Sequence, residues 1–100
     1  GVALGKKSKL NMTKVLEAIS GGAAQSWQMD NRFKTMVNGE FDFGFAVDLM
    51  IKDLKIALNH SKDLGIKLPS TKYVLQNYKK LSTLGDAQLD TSSLIKLLDK

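Results

Sequence analysis

At 100 residues, 43% of them apolar and 25% charged, the chain has the composition of one folded domain with a single modest core, not of a disordered or linker segment. Cysteine is absent, which excludes disulfides, thiolate chemistry and cysteine-bound zinc. The net charge of +5 comes almost entirely from scattered lysines, with Arg32 the only arginine, so base-specific nucleic-acid readout is not expected. The densest basic run, Lys6, Lys7 and Lys9, has no interleaved aromatics on which bases would stack. No apolar run approaches the roughly 20 residues of a bilayer span, and the richest stretch, 45–58, is broken by Asp48, Lys52, Asp53 and Lys55. No secretory-type leader stands at the amino terminus. No membrane segment is expected, and the cytoplasm is the default location.

Helical spacing recurs along the whole chain, and no useful length shows period-two alternation. Val2, Ala3 and Leu4 read as the end of a helix. Over 11–20, Val15, Leu16 and Ile19 share one helical face, with Asn11 as N-cap and Gly21-Gly22 as the stop. The glycine pair has two readings, a left-handed turn between packed helices or an anion nest ahead of the next helix. That next helix spans 26–37 and stops at Asn38-Gly39; it carries Phe33, Met36 and Val37, and Trp27 is expected as a core anchor. Phe41, Phe43 and Phe45 alternate with Asp42 and Gly44 over too few residues for a strand, which predicts an extended connector.

The helix predicted over 44–64 is the longest and most apolar, closes at Gly65, and is expected to run through the middle of the domain. Pro69 or Ser70 opens a helix carrying Val74, Leu75, Tyr78 and Leu81 as far as Gly85. Asp90 or Thr91 opens a last one with Leu94, Ile95, Leu97 and Leu98. The fold expected is all-α, a helical bundle with one long central helix and short connections, forming a single domain over 1–100.

Self-contained catalytic machinery is not evident: there is no phosphate-binding glycine loop, no Ser-His-Asp set and no metal-ligand spacing. His60, beside Lys62 and Asp63 near a helix end, reads as a solvated imidazole favoured by the helix C-terminus. The long helix is more informative. At 100° per residue, Phe45, Leu49, Lys52 and Ile56 lie on one stripe, so Lys52 stands in line with apolar neighbours and needs an anion. Asp48, four residues earlier, offers the favoured intrahelical orientation; a ligand is the other candidate. Asp53, displaced by about 80° from Phe45 on the helical wheel, either edges the same surface or is an exposed helix acid.

These residues resemble a known family. Gly44-Phe45-Ala46-Val47-Asp48-Leu49-Met50-Ile51-Lys52-Asp53-Leu54-Lys55-Ile56-Ala57 is similar to the cofactor-proximal helix of 3-hydroxyisobutyrate dehydrogenase and its relatives, the β-hydroxyacid dehydrogenases, with the lysine-aspartate-leucine core as its hallmark. Ser20-Gly21-Gly22-Ala23-Ala24-Gln25-Ser26-Trp27 resembles that family's leucine/serine-glycine-glycine-alanine turn. Asp90-Thr91-Ser92-Ser93-Leu94-Ile95 resembles its closing aspartate-x-serine-x-x-isoleucine segment. Asn11-Met12 replaces a frequent aspartate-proline but preserves capping ability, and Gln25 stands where relatives often have glycine.

The resemblance implies a C-terminal domain like that of 6-phosphogluconate dehydrogenase, working with its own N-terminal Rossmann domain, NAD or NADP, and a small β-hydroxyacid of the 3-hydroxyisobutyrate or tartronate-semialdehyde type. It implies that Lys52 approaches the cofactor and that Phe45 and Asp53 line the substrate cleft. The family's dinucleotide motif, substrate loop and catalytic lysine would all precede Gly1, so no catalytic residue is expected in this chain and the chain alone is expected to be inactive. A homo-oligomer is expected from the apolar stripe. The alternative is a non-catalytic helical assembly module of dehydrogenase ancestry.

Overall fold

The computed structural model describes residues 1–98, and each helix in it begins or ends where local chemistry directs. Helices α1 (Val2–Lys7), α2 (Met12–Ile19), α3 (Trp27–Asn38), α4 (Val47–Asp63) and α5 (Pro69–Leu81) are followed by a wide π turn over Ser82–Asp86 and a closing 3-10 helix over Thr91–Leu98. Among the described residues the only β-type pairing is an isolated antiparallel bridge between Ala46 and Asp90.

Asn11 caps α2 by accepting the Lys14 amide at 3.1 Å, and Ser26 caps α3 by accepting the Met29 amide at 3.0 Å, each satisfying one free donor of the first turn. At the far end of α4, Gly65 takes φ 67°. The Ile66 amide donates to the Ser61 carbonyl at 2.9 Å and the Gly65 amide to Lys62 at 3.1 Å, the paired bonds of a Schellman closure. Gly21 and Gly22 differ from the left-handed turn of the sequence reading, since neither has a positive φ. The turn instead uses bonds from the Gly22 amide to Ile19 and from Gln25 to Gly22.

Two hydrophobic clusters replace the single core expected from length. In one, Val47 and Ile51 of α4 meet Leu75, Tyr78 and Leu81 of α5, with Met50, Leu54, Leu58 and Val74 around them. In the other, Val2 of α1, Phe33 of α3 and Phe41 of the connector surround Ile95, with Met12, Val15 and Leu16 of α2 packed alongside. The closing 3-10 helix belongs to both, sending Leu94 and Leu97 to the first cluster and Ile95 to the second.

This packing covers one side of α4 and leaves the other outside. The helix turns Val47, Ile51, Leu54 and Leu58 toward α5. The stripe about half a turn away around the helix is left outside: Leu49 is 45% and Ile56 60% exposed. The helix also starts at Val47, not at Gly44, because Gly44 has φ 77°, outside the right-handed helical region.

Candidate cleft face on the fourth helix

Lys52 and Asp53, adjacent on α4, form an ion pair with Nζ–Oδ1 at 3.3 Å and side-chain exposures of 62% and 50%. The Asp48–Lys52 pair expected from helical spacing does not form. Asp48 is engaged elsewhere, accepting the Ser82 hydroxyl across to the α5 end at 2.8 Å. An exposed pair such as Lys52–Asp53 contributes about 0 to 1 kcal/mol, so an incoming anion can take the ammonium at little cost. Phe45, half exposed, precedes the first turn of the same helix. A groove of about 640 Å³ runs alongside, lined by Asp48, Lys52, Lys55, Ile56, Lys79 and Ser82 among others. A larger concavity, about 910 Å³ beside Met29, Met50, Tyr73 and Leu94, includes none of the three candidates Phe45, Lys52 and Asp53.

The start of α4 is held by tertiary contacts. Its N-cap, Ala46, has no side-chain acceptor to offer, and the free amides turn to the segment before the closing helix. Val47 donates to the Leu89 carbonyl at 2.9 Å and Asp48 to Ala87 at 3.0 Å. Just upstream, the Phe45 amide donates to Asp90 Oδ1 at 3.0 Å, and the Thr91 amide donates to the Phe45 carbonyl at 2.9 Å. Both backbone polar groups of Phe45 are therefore satisfied by residues 90 and 91.

Asp90 is the centre of this arrangement, although the sequence marks it only as a helix start within the closing segment of the family resemblance. It is 1% exposed. Its Oδ2 accepts Arg32 Nε at 3.1 Å, the Ser92 amide at 3.0 Å and the Ser92 hydroxyl. Burial by itself pushes the carboxyl pKa up; the hydrogen bonds from Ser92 and Phe45 and the charge of Arg32 outweigh burial and hold it below the usual carboxylate value. Tyr78, whose hydroxyl donates to the Thr91 carbonyl at 3.1 Å, is pushed up from its ordinary value by burial, against the opposing effect of that bond, and stays a neutral donor.

The Arg32 guanidinium lies 4.8 Å from the Trp27 ring centroid and 4.9 Å from that of Phe43, within cation–π range of both. Trp27 is thus not the core anchor expected: it is 59% exposed and covers an arginine. Gly44 completes the cluster, since a Cβ there would collide with Asp90 Oδ1 and come within 2.9 Å of Arg32 Nη2. The signal for this cluster was present in the sequence as a lone arginine and a Phe-Gly-Phe connector, but nothing local joined them to Asp90. His60 is exposed, as expected, and among the described residues no group of three acidic, histidine or cysteine side chains could hold a metal ion.

Comparison with known proteins places residues 1–98 on the family described as NAD-binding of NADP-dependent 3-hydroxyisobutyrate dehydrogenase. An uncharacterized oxidoreductase of Shewanella frigidimarina is 48% identical over all of this chain and 34% of its own length. A probable 3-hydroxyisobutyrate dehydrogenase-like 1, mitochondrial, of Arabidopsis thaliana is 36% identical over all of this chain and 30% of its own. The crystal structure of 3-hydroxyisobutyrate dehydrogenase from Salmonella typhimurium superposes with a TM-score of 0.85 at 27% identity, covering 96% of this chain and 34% of that one. The chain thus spans about a third of the length of the curated relatives it matches.

Proposed function

The chain belongs to the NAD-binding family of NADP-dependent 3-hydroxyisobutyrate dehydrogenase, and from that premise we propose that it is the helical C-terminal domain of an NAD(P)-dependent oxidoreductase acting on a small β-hydroxyacid. The observation that carries this reading is the outer face of α4. There an exposed lysine stands among apolar side chains, with an acid beside it and an aromatic at the head of the helix. Lys52 binds the dinucleotide, an anion that its ammonium suits in charge and that its weak pairing with Asp53 leaves it free to take. Phe45 shields the nicotinamide region from water, and Asp53 orients neighbouring polar groups. The bound cofactor supplies the hydride chemistry. An N-terminal Rossmann domain supplies the opposite wall of the cleft and the catalytic lysine, upstream of Gly1. A cytoplasmic location belongs to the same proposal; no helix among the described residues is long and apolar enough to cross a membrane.

Titrating cofactor into the full-length protein tests the assignment. Lys52→Ala is expected to weaken binding by about tenfold or more, since a charge-assisted hydrogen bond contributes about 1.5 to 3 kcal/mol. Unchanged affinity removes Lys52 from the site. The exposed Leu49 and Ile56 on the same face favour a second reading, a non-catalytic assembly module whose apolar face pairs with another chain. The residues preceding Gly1 discriminate the two: a catalytic lysine there supports the dehydrogenase.

A further inference from the structure

The site just proposed depends on where Phe45 stands, and Phe45 is placed differently from Lys52. Lys52 lies within α4, whose inner face is locked to α5 by Val47 and Ile51. Phe45 lies outside the helix, next to a glycine at φ 77°, and is 40% exposed. Its backbone is held by the Asp90 carboxylate at the amide, 3.0 Å, and by the Thr91 amide at the carbonyl, 2.9 Å. The same carboxylate is held from its other oxygen by Arg32 and Ser92, and Arg32 by Trp27 and Phe43.

Resting on that reading, we propose that Asp90, clamped by Arg32, is a positioning residue for substrate: it sets Phe45 against the hydroxyacid end of the cleft without touching substrate or cofactor itself. The division of labour between its two oxygens carries the argument. Oδ1 serves the Phe45 amide and Oδ2 the Arg32 and Ser92 donors, so all of its partners are donors and only a carboxylate accepts from every one. In Asp90→Asn one of the two positions becomes an NH₂ that faces donors. Either Phe45 or the Arg32–Ser92 side then loses its acceptor, and the amide cannot satisfy both. Lys52, placed by the α4–α5 core, keeps its position.

The test is a double-variant cycle in the full-length protein with Asp90→Asn, Phe45→Ala and the pair, reading kcat/KM for the hydroxyacid, the cofactor dissociation constant and Tm. Asp90→Asn is expected to lower kcat/KM by between about tenfold and a hundredfold, the loss that follows misplacement of a site group by about 1 Å, with cofactor affinity unchanged. Its kinetic effect is expected to vanish in the Phe45→Ala background. If Asp90→Asn lowers Tm while the kinetics of the folded enzyme stay those of the wild type, or if the two substitutions act additively, the positioning role is overturned and the cleft assignment survives. If Phe45→Ala alone leaves kcat/KM unchanged, the cleft assignment of Phe45 fails and this inference fails with it. Should Asp90→Asn not fold, Ser92→Ala, which removes one hydroxyl donor from the same carboxylate, is carried through the same cycle with a smaller effect and the same criteria.

Discussion

Arg32 and Asp90, 58 residues apart, meet as an ion pair with Nε–Oδ2 at 3.1 Å and side-chain exposures of 15% and 1%. A carboxylate this deeply buried is tolerated only with full hydrogen bonding and a countercharge, and the pair ties α3 to the segment that opens the closing helix. Removing the arginine leaves the charge uncompensated. Arg32→Met is expected to cost about 3 to 5 kcal/mol in chemical denaturation. Lys96→Met, which breaks the more exposed pair with Asp86, is expected to cost about 1 kcal/mol or less. Equal losses in the two variants would show that Arg32 does not compensate a buried charge.

The same carboxylate sets a pH dependence. Its folded pKa is depressed, so between the folded value and the unfolded one near 3.9 the unfolded chain binds more protons. The stabilisation is therefore complete above the unfolded value and is lost as pH falls through the folded one. Denaturation midpoints compared from pH 7 downward should show the wild type losing its advantage over Asp90→Asn below about pH 4. A constant difference across that range would contradict the assignment.

Gly44 and Gly39 both have positive φ, at 77° and 71°, but only Gly44 faces obstructed space. A Cβ at Gly39 meets nothing within 4 Å, whereas one at Gly44 collides with Asp90 Oδ1. Gly39→Ala is expected to cost about 1 to 2 kcal/mol, the penalty of left-handed backbone alone. Gly44→Ala should cost clearly more and lower the acid resistance that Asp90 provides. Thermal melts of the two variants decide it; similar losses would mean that Asp90 relaxes away from the added methyl group.

The chain by itself is expected to show no hydroxyacid oxidation with NAD or NADP and to self-associate through the α4 face. Sedimentation of the wild type against a Leu49→Lys, Ile56→Lys double variant measures the second expectation. Dimerisation that weakens in the variant supports it, and a monomer at high concentration for both contradicts it.

What the sequence determined by itself is what local chemistry determines. Asn11 and Ser26 cap because a short side chain reaches an amide three residues on. Gly39 and Gly65 close helices because they enter the left-handed region without a Cβ penalty. The stripe of Phe45, Leu49, Lys52 and Ile56 follows from helical pitch alone. Which side of α4 that stripe faces was decided only in three dimensions. Leu49 and Ile56 are as apolar as Ile51 and Leu54, and it is the packing against α5 that turns the latter pair toward the core. The same holds for Trp27, whose pattern suits a core but whose partner is Arg32. It holds for Asp48, whose spacing points to Lys52 but whose carboxylate accepts Ser82. Asp90 reads locally as a helix start, and its role came from bringing Arg32, Phe45 and Ser92 together. A buried charge takes whichever donors the fold delivers, and its four hydrogen bonds come from Phe45, Ser92 and the distant Arg32 through the packing of two clusters onto one closing helix.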